Sequence, residues 1–141
     1  MAFAAFGTTF LSVTIEIINT GSELLLGRIL NTHQQWLCSR LTQSGYTVAR
    51  QVLVSDRGED IQQAVREGLS RADLVITTAL IPGRAAPVLV SEDMVKAMKP
   101  GSVIIDIAAG KGPDGVGGNC PLTEAGKTVI KHGVTLVGDT N

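Results

Sequence analysis

The chain has no surplus of charge of either sign, almost no cysteine and no long apolar run, and each shortage excludes a class of function. Lysine plus arginine number 12 and aspartate plus glutamate 13, interspersed along 141 residues, for a net charge of −1. That leaves no electrostatic case for nucleic acid or an anionic membrane surface. No apolar stretch approaches the roughly 18 residues of a membrane span. Residues 1–12 are small and apolar but lack the basic start of a secretory signal, the first positive charge being Arg28. Cys38 and Cys120 stand far apart, outside any Cys-x-x-Cys or Cys/His cluster. They read as free thiols in a reducing, cytoplasmic setting, with no metal site. What is present is 44% apolar and 18% charged residues, the composition of one globular domain with one core. Residues 1–12 are taken as an N-terminal extension and 13–141 as the domain.

Strand and helix patterns alternate. Val13 to Ile18 is β-branched and runs into the turn Asn19-Thr20-Gly21-Ser22. Asn31 to Ser44 is helical in pattern, with Trp36, Leu37 and Leu41 on one side, and stops at Gly45. Thr47 to Val54 is strand-like, and Asp56-Arg57-Gly58-Glu59 then has the form of a capping box. Behind it Ile61, Ala64, Val65, Gly68, Leu69 and Ala72 keep a helical apolar stripe. Leu74 to Thr77 is a short continuous apolar strand of the kind that helices cover on both faces. Ser91 can cap a short helix that turns Met94, Val95 and Met98 to the core and ends at Pro100-Gly101. Val103 to Ile107 is a fourth buried strand, residues 108–122 a glycine-rich loop, and 128–130 with 134–137 supply a fifth strand.

Strands separated by helices imply parallel neighbours joined by right-handed crossovers. The expected fold class is α/β: a three-layer α/β/α sandwich around a parallel five-stranded sheet of flavodoxin-like order 2-1-3-4-5. A Rossmann-like half sheet is the alternative. Either places a ligand at the carboxyl ends of the strands, in residues 19–23, 78–84 and 108–119.

Two stretches carry family resemblances. Thr20-Gly21-Ser22-Glu23-Leu24-Leu25-Leu26-Gly27, Asn31-Thr32, Trp36-Leu37 and Asp73-Leu74-Val75-Ile76-Thr77-Thr78 resemble the molybdopterin-binding-like domain of the competence-damage-inducible protein family. That family should continue into a Gly-Gly-Leu-Gly-Pro-Thr turn, where this chain reads Ala79-Leu80-Ile81-Pro82-Gly83-Arg84. From Asp73 to Asn141 the chain resembles the carboxyl half of the NAD-binding domain of nicotinamide nucleotide transhydrogenase, alpha subunit, and of the alanine dehydrogenases. The residues that carry this are Thr77 through Arg84, Ala86-Pro87-Val88-Leu89-Val90, Met98-Lys99-Pro100-Gly101-Ser102-Val103-Ile104, Gly117-Gly118-Asn119-Cys120 and Lys131-His132-Gly133-Val134-Thr135. The dinucleotide fingerprint and acidic ribose ligand that this resemblance implies are not spelled in the preceding residues. Residues 73–78 fit both families, so the sequence reads as an engineered chimera joined at a shared strand.

The chemistry-bearing residues are sparse. Gly110-Lys111-Gly112-Pro113-Asp114-Gly115 spells G-x-G-x-x-G after a strand, but Pro113 and the following Val116-Gly117-Gly118 favour a loop over the helix a pyrophosphate site needs. The Thr20-Gly21-Ser22 turn can offer amides to a phosphate, and an ordinary turn is the plainer reading. Together with Thr78, Ala79 and Leu80 at the end of the third strand, these are the candidate cofactor-binding residues. His33, His132, Glu23, Arg84 and Cys120 form no visible catalytic grouping. The expectation is a folded protein that is not an enzyme and has no cofactor. Weak NAD(H), AMP or phosphate binding at the strand-end loops is one alternative, and a transhydrogenase- or molybdopterin-type enzyme fragment another. A homodimer would bury any apolar surface left open by residues 108–127.

Overall fold

A computed structural model describes residues 15–80 and 83–140, so the N-terminal extension lies outside the described residues. The elements are β1 (Ile15–Thr20), α1 (Ser22–Leu25), α2 (Thr32–Gln43), β2 (Val48–Val54), α3 (Gly58–Leu69), β3 (Leu74–Thr77), α4 (Glu92–Ala97), β4 (Val103–Asp106), β5 (Thr128–Lys131) and β6 (Val134–Gly138). The α/β alternation is as the sequence patterns predict. The sheet order is different. Among the described residues β1 and β2 form a parallel pair by themselves, and the other strands form a sheet of order β3-β4-β6-β5.

Two corrections follow to the parallel five-stranded order 2-1-3-4-5. The last strand is a hairpin: β5 pairs antiparallel with β6, while β6 lies parallel to β4. His132 and Gly133 both adopt positive φ, 55° and 77°, the conformation of a two-residue type I′ turn. Two residues can join antiparallel strands but not a parallel crossover. The second correction is the junction. No ladder links β1 to β3 among the described residues; α3 joins the two sheets instead, through its buried stripe of Ala64, Val65, Gly68 and Leu69. Gly68 brings the helix close enough that a Cβ there would sit 3.4 Å from Ile18 Cδ1. Ile18 in turn packs on the core cluster.

The core lies between α3, α4 and the middle of the four-stranded sheet: Val65, Leu69, Val90, Met94, Val95, Met98, Ile104, Cys120, Val134 and Leu136. Ser91 caps α4 by accepting from the Met94 amide at 3.4 Å. Asn31 caps α2 by accepting from Gln34 N at 3.0 Å. The expected capping box before α3 does not form. Asp56 is turned toward Ser22, whose N–H donates to its Oδ2 at 2.8 Å, and Ser55 bonds Asp60 inside the helix. Helices do not cover both faces of β3 either, since Leu74 and Ile76 are exposed. The stripe expected on α2 also faces outward: Trp36 and Leu37 are exposed and Leu41 is half-buried.

Candidate functional site

The carboxyl ends of β3 and β4 lie side by side, Thr77 opposite Asp106 in the parallel register. Two long loops leave from there, residues 78–91 and 107–127. Loops that carry no regular ladder must satisfy their backbone polar groups by other means. Here one buried side chain does much of that. Asn119 is fully buried; its Oδ1 accepts from Ala79 N at 3.0 Å, and its Nδ2 donates to Ala79 O at 2.9 Å and Pro87 O at 2.8 Å. The Asn119 carbonyl accepts from Leu89 N and Val90 N at 2.8 and 3.0 Å. The side-chain amide thus pairs with Ala79 as a neighbouring strand would, and the β3 loop is pinned at both ends.

Beside it, Asp106 ends β4 with its carboxylate fully buried. Oδ1 accepts from Thr77 Oγ1 at 3.2 Å and Ala108 N at 3.0 Å; Oδ2 accepts from Cys120 N and Thr123 Oγ1, both at 2.9 Å. Burial pushes the Cys120 thiol above its ordinary range, so it is a packed, unreactive thiol. The chain closes over the carboxylate through glycine. A Cβ on Gly118 would lie 2.5 Å from the Ala108 carbonyl and 2.6 Å from Asp106 Oδ2.

The six sequence-predicted site residues separate into two places. Ala79 has both backbone groups on Asn119, while Thr78 and Leu80 on either side of it are exposed. Thr20, Gly21 and Ser22 belong to the β1 turn, which bonds to the β2 side: Gly21 N donates to Val54 O at 3.1 Å and Ser22 N to Asp56. An internal carboxylate therefore already takes the Ser22 amide. The G-x-G-x-x-G stretch is a loop, as its proline predicts. Asp114 Oδ1 accepts from Val116 N at 3.0 Å and Gly117 N at 2.9 Å, and these amides hold the Asp114 carboxyl below its usual range. Gly112 N donates to Gly117 O at 2.8 Å. His132 sits in the hairpin turn, with Nε2 3.0 Å from Glu92, and His33 lies in the first turn of α2. Among the described residues no three His, Cys, Asp or Glu side chains are placed to hold a metal, and no helix is long and apolar enough to cross a membrane. Sequence reasoning quoted Asn119 only as part of a motif and missed Asp106 and Thr123. A charged residue inside the apolar run Val103–Ile107 was the signal available.

A parallel α/β sheet with built loops at its strand ends defines the dinucleotide-fold class of architecture. The particular family follows from direct likeness. The profile described as alanine dehydrogenase/PNT, C-terminal domain, matches residues 8–141, and the chain belongs to that family. The first of the separately encoded alpha-subunit chains of the NAD(P) transhydrogenase of Rhodospirillum rubrum is 45% identical over 123 residues, 84% of this chain and 29% of that protein. The NAD(P) transhydrogenase subunit alpha of Cereibacter sphaeroides is 56% identical over 77 residues, 54% of this chain and 14% of that one. Among solved structures, the transhydrogenase of Sinorhizobium meliloti superposes with a TM-score of 0.54 at 30% identity, covering 89% of this chain and 38% of that chain. An L-alanine dehydrogenase gives 0.53 at 25% identity, covering 92% and 37%. The chain thus spans less than two fifths of the length of each.

These matches correct the functional expectation. One family profile runs through residues 73–78 without a break, and natural proteins align with most of the chain. The reading as an engineered chimera without function is therefore overturned. The likeness of the first half to the molybdopterin-binding-like domain has no counterpart among these matches. The expectations of no enzyme and no cofactor lose their basis with the chimera. The α/β class stands, in its Rossmann-like form.

Proposed function

We propose that this chain forms the portion of a dinucleotide-binding domain that receives the nicotinamide end of NAD(H), at the carboxyl ends of β3 and β4, in support of hydride transfer. The observation that carries this is the Asn119 clamp on Ala79, at 3.0 and 2.9 Å. It fixes the backbone so that Thr78 and Leu80 stand exposed on a preset turn at the strand end, where α/β folds take their ligands. Leu80 supplies an apolar surface for a flat ring and Thr78 a hydroxyl for a carboxamide. Hydride transfer asks the protein to position two reactants and exclude water, and the chemistry belongs to the cofactor. A strand-end site without an acid–base pair is suited to that task.

The fit covers one end of the cofactor only. The amides of residues 112–117 are taken up by Asp114 and by the loop itself, so this loop is not a pyrophosphate cradle. A phosphate at Thr20-Gly21-Ser22 would have to displace Asp56. We therefore assign the phosphates and adenosine to elements beyond this stretch of the whole enzyme.

The test is a titration with NADH, followed by the fluorescence of its own reduced nicotinamide because Trp36 is 65% exposed on the remote α2. Nicotinamide mononucleotide should compete and AMP should not, with a rise in melting temperature. Competition by AMP alone, or no saturation at millimolar NADH, would overturn the proposal.

A further inference from the structure

We infer that Asp106 is a positioning residue for the nicotinamide-end site, acting through Cys120 and Asn119 on Ala79; this rests on the dinucleotide reading above. Its carboxylate offers about four acceptor positions, and four neutral donors fill them: Thr77 Oγ1, Ala108 N, Cys120 N and Thr123 Oγ1. Those donors come from three segments, the end of β3, the turn after β4 and the glycine-rich loop. One buried group thereby fixes both strand ends and the loop that returns across them.

The coupling to the site is short. Cys120 hangs its amide on Asp106 at 2.9 Å, and the preceding residue, Asn119, carries the clamp on Ala79. A shift of the Cys120 amide is therefore passed on within one peptide unit. Gly118 removes the slack, because its backbone lies where a Cβ would be 2.6 Å from the same carboxylate oxygen. A fully buried carboxylate met only by neutral donors is a costly way to stabilise a strand end. Its multiple acceptance is well suited to holding a loop in one conformation, and a preorganised turn is what a weakly polar ring site requires.

The experiment is Asp106→Asn, with amide hydrogen exchange and NADH titration on the same protein. The variant keeps the shape but turns an NH2 group toward donors. We expect exchange at Cys120 and Ala79 to speed up, NADH affinity to fall about tenfold through misplacement of the turn, and exchange at Ile104 and Leu136 to stay slow. A merely structural role would leave Ala79 exchange and NADH affinity at wild-type values in the folded variant, and that result overturns the inference. Should Asp106→Asn fail to fold, Thr123→Val removes one donor at nearly constant size, and unchanged Ala79 exchange there is equally decisive against it. Failure of the dinucleotide reading looks different: wild-type protein would not bind NADH, while the exchange data would still decide whether Asp106 governs Ala79.

Discussion

The two sheets of this protein are held together by different means. The β1–β2 pair and its helices expose Leu26, Ile29, Leu30 and Trp36, with Leu30 at 88% exposure. Side-chain amides tie this region together: Asn31 Nδ2 donates to Asn19 Oδ1 at 2.9 Å and to Gln34 Oε1 at 2.9 Å, and Gln34 reaches Gln51. The four-stranded sheet instead buries Ile104, Val134 and Leu136 completely beneath α4 and gathers its buried polar groups around Asp106 and Asn119. A two-stranded sheet has no interior strand to shield. A four-stranded one has two, β4 and β6, and the core forms over them. The site lies on the second sheet because only there is the backbone at the strand ends fixed by buried groups.

The largest test of this contrast is Leu136→Ala against Leu30→Ala. Loss of a fully buried leucine should cost about 2–5 kcal/mol, whereas the exposed one should change stability by less than about 0.5 kcal/mol, both read from denaturant unfolding. Equal effects would mean that the first region carries a core of its own. A smaller effect is expected where the regions meet. Arg71, in the turn into β3, holds Glu16 of β1 by Nε at 2.5 Å and Nη2 at 2.9 Å. This guanidinium holds the Glu16 carboxyl below its ordinary range. Its contribution is therefore present above the usual glutamate pKa and lost as pH falls through the folded value. Glu16→Gln should lower stability by about 1 kcal/mol at neutral pH, Arg71 being partly exposed, and the two proteins should converge in acid. A difference independent of pH would remove the ion pair from the account. The smallest effect has the opposite sign. Ser102 is buried and its Oγ has no partner among the described residues. Ser102→Ala should then raise the melting temperature, by an amount equivalent to about 1 kcal/mol; a lower value would point to a partner for the hydroxyl.

Much of this architecture was legible in the residue pattern. The stripe Ile61, Ala64, Val65, Gly68, Leu69 identifies α3, and its last four members are the ones buried. Ser91 and Pro100-Gly101 bracket α4, and Thr77 to Arg84 with Gly117 to Cys120 carry the family. The N-terminal half misled because its helical apolar residues do not all turn inward. Amphipathic period says which residues share a face, not whether anything covers that face. Asp56 misled for a related reason: Ser22, far away in sequence, competes for its carboxylate with the α3 amides. His132-Gly133 was readable as a hairpin turn, and the expectation of one more parallel strand passed over it.

By itself the sequence determined the order of strands and helices, the two loops that carry the family likeness, and the loop character of residues 110–115, since all of these depend on neighbours within a few positions. Tertiary structure alone decided that the strands divide into two sheets, that Asp106 would gather four donors, and that Asn119 would hold Ala79 across 40 positions of chain. Such contacts depend on which distant groups are left without a partner when the loops close, and no local pattern encodes that.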